Sequence, residues 1–294
     1  MKAASQPNSD ARKLDQATAV ELAAKIIAIL LLISGSIVFA TPFYIALSMS
    51  LKSQTELAHS QVWLPPARPT LENYDHVLHN PNIVFALLFK NSLIISLLST
   101  AGAVLSASFV AYGFARINFR GRDRWFMVLI ATMMLPGIVT FIPQYLVFAK
   151  LHWVNTFLPL IVPAWFGGGA FNIFLFRQFF MGIPRDLDEA AIIDGANHFV
   201  VWSRIILPSA KAALATVGIL GFIYSWRDFL PPLIYLNDVS KQTLEVGLNS
   251  YNTLNQQHWY DIMAASVFVI LPLVILFFVG QRYFVRGIQM TGIK

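Results

Sequence analysis

The chain has 294 residues, of which 56% are hydrophobic and only 12% charged, with a mean hydropathy of +0.61; these values exclude an ordinary soluble domain and point to an integral membrane protein. It contains no cysteine, which excludes disulfides, thiolate catalysis and Cys-based metal sites. A net charge of +6 would suit nucleic acid or an anionic surface, but the basic residues form no single patch, so membrane topology is the better account and no nucleic acid partner is expected.

Six apolar stretches, near 26–50, 85–114, 125–149, 155–176, 210–232 and 262–284, predict an all-α membrane protein of six transmembrane helices. Each supplies about the 20 helical residues that a hydrocarbon core of roughly 30 Å requires. Residues 1–25 read as an N-terminal tail, 26–285 as the membrane domain and 286–294 as a C-terminal tail. Residues 1–20 are polar, carry no motif and are expected to be mobile. The first span reads as uncleaved: its leader runs to Lys25 and its apolar run continues past Pro42, too long for a signal peptide. Lys and Arg alternate between two sets of segments, fifteen on one side and six on the other. The richer set includes Arg116 to Arg124, Arg177, Arg185 and Arg204, which places both termini, the 115–124 turn and the polar stretch at about 177–210 in the cytoplasm.

The first external loop, about 51–84, is broken by Pro65-Pro66, Pro69 and Asn80-Pro81 and is too short for a domain. Asp75, His76 and His79 have a helical metal spacing but lack a fourth ligand, and no metal is expected. Span two carries Ser92, Ser96, Ser99, Gly102, Ser106, Ser108 and Gly113, small residues that let helix backbones approach closely. The basic turn 115–124 fixes orientation and offers a contact to lipid headgroups. Pro136 and Pro143 in span three, and Pro159, Pro163, Gly167 to Gly169 and Asn172 in span four, predict broken helices. Such breaks are tolerated where they line a wet cavity or are buried in protein, which makes spans three and four candidates for a translocation path. Packing of kinked helices, with Asn172 bonded to a neighbour, is the alternative.

Between spans four and five, Glu189-Ala190-Ala191 is a run of good helix formers, Gly195 after Asp194 can end a helix through φ > 0, and Pro208 suits a first helical turn. The predicted unit is a helix, a sharp turn and a short helix leading into span five, with Asp186 spaced from Glu189 as an N-cap box. In span five, Tyr224, Trp226 and Asp228 are pathway candidates. Arg227 beside Asp228 also permits simple neutralisation or snorkelling at the interface. No P-loop, His-Glu-x-x-His or Gly-x-Ser-x-Gly motif occurs, so the chain is not expected to be an enzyme, to bind ATP or to hold a cofactor.

The polar stretch resembles the EAA loop of permease subunits of binding-protein-dependent ABC importers, in Glu189-Ala190-Ala191, Asp194-Gly195-Ala196 and the Ile205-x-Leu207-Pro208 end. Arg177-Gln-Phe-Phe-x-x-Ile183-Pro184, Trp226-x-Asp228-Phe229 with Pro232-Leu-Ile, and Gln281-Arg-Tyr-Phe-Val-Arg-Gly287 extend the likeness to the maltose-type, carbohydrate-importing branch. It departs at Arg227, where that branch suggests Asn, and at the ending Met290 to Lys294. The resemblance implies a type I importer fold and a coupling loop seated in a cytoplasmic ABC ATPase dimer that binds the ATP. It also implies a second, homologous permease, an extracytoplasmic solute-binding protein docked on 51–84 and 231–261, and a sugar or oligosaccharide substrate. A polyol or glycerol phosphate importer remains open, as does a self-sufficient secondary transporter, although neither an internal repeat nor a lone buried carboxylate supports the latter.

Overall fold

The computed structural model describes residues 9–59, 61–80, 84–254 and 259–291, and these are helices joined by turns with no strand among them. Helix α1 (Ser9–Ser50) is continuous through Pro42 and touches chiefly the last helix of the chain. Residues 9–20 of the expected tail are part of this helix. The last carbonyls of a helix lack intrahelical donors, and here the buried Asn73 supplies them, its amide donating to Ser50 O at 2.7 Å and Lys52 O at 2.8 Å. Asn73 lies on α3 (Glu72–Leu78), which follows α2 (Gln54–His59) in the first loop. The two loop histidines have separate partners, His76 with Asp261 at 3.5 Å and His79 with Asp75 at 2.9 Å.

Helix α4 (Phe85–Arg116) is the central post. Its Ala107, Ala111 and Ala115 fall four residues apart on one face, and that small-residue stripe receives the large side chains Ile173, Phe176 and Phe180 of a later helix. A second cluster, at the other end of the bundle, packs Phe85 and Leu88 of α4 against Phe222, Trp226, Ile262 and Val269. The serines of α4 contribute hydrogen bonds as well as close packing: Ser92 Oγ accepts from Leu244 N at 2.7 Å, and Ser99 Oγ donates to Ser225 Oγ at 2.9 Å.

Prolines and glycines set the breaks. The predicted span 125–149 is two helices, α5 (Arg122–Thr132) and α6 (Gly137–Lys150), bent by 93°. Pro136 sits at the break in an extended conformation, whereas Pro143 is carried inside α6. A proline lacks the N–H and biases the residue before it away from the α region, which accounts for the first position. Span four is α7 (Leu158–Ile161), a 3-10 turn (Val162–Trp165) and, after Gly167, Gly168 and Gly169 at φ +100°, +66° and +90°, α8 (Ala170–Met181).

Then come α9 (Asp186–Ile193), α10 (His198–Val200), a π-helical turn (Val201–Ile206) and α11 (Leu207–Ser209). The run from His198 to Ser209 meets α12 (Lys211–Trp226) at 83°. The predicted span 210–232 therefore ends at Trp226, and α13 (Leu230–Tyr235) is a separate turn with Pro231 and Pro232 in its first half. A 3-10 turn (Val239–Lys241), α14 (Leu244–Leu254) and α15 (Trp259–Thr291) complete the order. Four described helices are long and apolar enough to cross a membrane, and six spans result if each bent pair counts as one. Met290 and Thr291 of the atypical ending are helical; residues 292–294 lie outside the described set.

Candidate functional site

Two features occupy the two ends of α8. At its C-terminal end the chain passes through Gly182 and Pro184 into α9, whose first turn carries Asp186, Asp188 and Glu189, suited to the positive end of the helix dipole. Asp186 is not the N-cap: Arg185 holds that position without a side-chain bond, and Asp186 already lies inside the helix. Gly195 at φ +87° ends α9 in a Schellman arrangement, with Ala196 N donating to Ala191 O at 2.9 Å and Gly195 N to Ile192 O at 3.0 Å. Two residues later the Asn197 side chain caps the next helix by accepting from Val200 N at 2.9 Å.

This unit is fixed to α4 from below and open above. Asp188 is 8% exposed and lies 3.5 Å from the Arg116 guanidinium, which also donates to Ile183 O at 2.8 Å. Burial pushes the Asp188 carboxyl above the usual carboxylate range, opposed by Arg116 and Arg185, which pull it down. Tyr112 of α4 reaches His198 Nδ1 at 3.1 Å. Ala191, Ala196, Ile205 and Leu207 pack against the α4–α8 core, with the fully buried Ile206 between the last two. Glu189, Ala190, Asp194, Gly195 and Pro208 face outward, and Ile193 is 85% exposed. The result is a rigid bracket presenting small, acidic and aliphatic groups.

The N-terminal end of α8 opens on a cavity of about 1060 Å³ bounded by α4, α6, α7, α12 and α13. Three of the four pathway candidates meet there. Asn172 lines it, with its amide donating to Gly168 O at 2.7 Å. Tyr224 lines it and is 77% exposed, and Asp228 lines it without an ion pair among the described residues. Trp226 does not: it is 1% exposed, stacks on Phe222, and donates from Nε1 to Val269 O at 3.0 Å, so it is a core residue. Nor does Arg227 neutralise Asp228. Its side chain is exposed and acts instead on Glu245, whose carboxyl burial raises and Arg227 lowers.

Spans three and four, read as candidates for a path, do line the cavity, with Pro159, Pro163, Gly168 and Gly169 among the residues named in sequence, whereas Gln144, Phe148 and Tyr235 were not singled out. Trp153 stacks on Phe148 at 5.5 Å within it. Phe148 and Tyr235 are brought together only by tertiary packing, and no local pattern marks them. Arg116 and Asp188 were missed as a pair, although Asp188 beside Glu189 lies on the inward face of an eight-residue helix whose outward face was recognised.

Residues 103–290 match the family described as "Binding-protein-dependent transport system inner membrane component". The chain is 33% identical over 261 residues to the arabinooligosaccharides transport system permease protein AraQ of Bacillus subtilis, covering 88% of this chain and 92% of that protein. It is 31% identical over 265 residues to the sn-glycerol-3-phosphate transport system permease protein UgpE of Yersinia pestis, covering 88% and 94%. Its fold matches, with a TM-score of 0.77 and 23% identity over 96% of this chain and 100% of the other, a bacterial ABC transporter involved in the import of the acidic polysaccharide alginate. The helical bundle, the outward-facing bracket and these similarities agree: the chain belongs to the binding-protein-dependent transport system inner membrane components, as a multi-pass, non-catalytic permease subunit of an ABC importer, which in general works with an ATPase and a binding protein.

Proposed function

We propose that this chain forms half of the translocation path of an ATP-driven carbohydrate importer and receives the force of ATP hydrolysis through the bracket at Glu189 to Pro208. The observation that carries this reading is α8. One twelve-residue helix, roughly 18 Å long at 1.5 Å per residue, has the cavity at one end and the bracket at the other, and its flank is packed on α4 throughout. Movement of the bracket would be transmitted to the cavity wall without loss in a flexible joint. A cytoplasmic ATPase pair would bind the nucleotide and grip Glu189, Ala190, Asp194 and Gly195. A second, homologous permease would close the path, and a solute-binding protein would dock on the loops at 51–84 and 231–261. The bracket and both tails then face the cytoplasm.

An oligosaccharide suits the lining, in which Tyr224, Phe148 and Trp153 offer flat faces and Ser99, Gln144 and Asn172 offer polar edges. Naming of relatives for arabinooligosaccharides supports the same class.

The test is uptake and ATP hydrolysis by the reconstituted importer carrying Glu189→Lys or Gly195→Pro. Proline cannot adopt φ +87° or donate the bond that Gly195 N gives to Ile192 O. Both variants are expected to insert normally, and to lose most uptake while the ATPases keep turning over. Wild-type uptake in both would remove the coupling role from this loop.

A further inference from the structure

Among the residues lining the cavity, Asp228 carries the only formal charge. No Lys, Arg or His lines the wall, and the adjacent Arg227 is exposed and not among the lining residues. A carboxylate held at a cavity surface with no cation beside it can do two things. It accepts hydrogen bonds from hydroxyl donors, and it repels anions, the more strongly as water is displaced.

The opposite requirement is met at α8. Its first turn reaches the cavity at Gly169, Phe171 and Asn172, and the first N–H groups of a helix lack intrahelical acceptors. A hydroxyl donates and accepts through the same oxygen, so a polyhydroxylated neutral solute can serve both walls at once. A phosphate or carboxylate can satisfy only the α8 side while facing Asp228 with a like charge. The half-charge of a helix end does not offset a full carboxylate.

We propose that Asp228 is a specificity-determining residue that restricts this path to neutral polyhydroxylated solutes and rejects anionic ones, glycerol phosphate among them. This rests on the carbohydrate-importer reading above and adds the charge class of the substrate.

The test uses the complete importer in liposomes with its binding protein saturated in turn with labelled arabinotriose and with the aldonic acid made by oxidising its reducing end. The two probes are nearly equal in size and differ by one charge. Wild type is expected to move the neutral probe at least about tenfold faster, since like-charge juxtaposition in a desolvated site costs more than that factor. In Asp228→Asn the ratio should fall toward one, through slower neutral uptake and faster anion uptake, and Asp228→Glu should restore it. Equal rates in wild type, or a ratio unchanged in Asp228→Asn while neutral uptake persists, would overturn the selectivity and leave the importer reading standing. A wild-type importer that moves glycerol phosphate and neither saccharide would overturn both.

Discussion

Arg116 and Asp188 form the joint between the central post and the bracket, and the two partners are not equivalent. Removing Asp188 as Asn leaves a guanidinium that still donates to Ile183 O and faces a neutral amide of the same shape. Removing Arg116 as Ala leaves a carboxylate, 8% exposed, in surroundings that already push its pKa up. Either removal leaves a buried charge, about 3 kcal/mol when wholly uncompensated, but Arg116→Ala also takes the donor from Ile183 O and empties the space of a side chain only 3% exposed. Arg116→Ala should therefore lower the melting temperature of the purified importer clearly more than Asp188→Asn, and should detach binding-protein stimulation from the ATPase rate. Equal melting shifts would mean that the pair contributes through packing alone. Trp226 and Asp228 show how finely such roles divide along a chain. Two positions apart, one ends α12 inside the core and the other lies past the helix end on the cavity wall. Sequence reading placed both on the pathway, Trp226 as an aromatic able to stack on a sugar and Asp228 as an ionisable residue within a span, and nothing local tells which side of the helix terminus faces inward.

The three glycines before α8 act as an element rather than as separate turns. All three have positive φ, yet only Gly168 is also pressed on a neighbour: a Cβ there would lie 2.3 Å from Ala103 O and 2.8 Å from Ala107 Cβ, both on α4. A Cβ on Gly167 would meet nothing within 4 Å. Gly167→Ala thus carries only backbone strain, about 1–2 kcal/mol. Gly168→Ala adds an overlap with helix backbone that cannot yield, roughly 1–3 kcal/mol more. Thermal unfolding of the two purified variants should rank them in that order, and a reversed ranking would show that the break does not seat on α4. Ser106, which donates to Ala164 O at 2.8 Å, fastens the same break from the α4 side. The glycine run, the prolines at 136 and 208 and the helix-turn-helix after Glu189 were all legible in sequence, because each is fixed by the φ or the missing N–H of a single residue. The boundary near 210 was legible but not its 83° bend, and the end of α12 at Trp226 was not, since the apolar stretch was read on to 232.

At the scale of the whole subunit, the open cavity suits the proposal that this chain supplies only part of its wall. Helix α1 keeps most of its large side chains from Leu22 to Leu47 exposed, which suits lipid or a second permease. The cavity lies between elements joined to the bracket through α8 and α12, so a rigid displacement of the bracket should tilt both walls together. That gives a directional expectation. With the ATPases apart, the cavity opens to the cytoplasm; with them closed on nucleotide, it opens outward. The absence of cysteine makes this directly measurable, because a single introduced thiol is the only one in this chain, whose labelling is read on its own gel band. Tyr224→Cys places the probe on the cavity wall, and Ile193→Cys places a reference on the exposed face of the bracket. A charged, membrane-impermeant maleimide applied to inside-out vesicles of the assembled importer should label the Tyr224→Cys variant without nucleotide and fail after vanadate trapping, and right-side-out vesicles should give the opposite pattern. The Ile193→Cys variant should react only from the cytoplasmic side, and less when the ATPases are present. A cavity thiol labelled from the same side in both states would mean that the bracket moves without turning the path over, and coupling would have to run through elements other than α8.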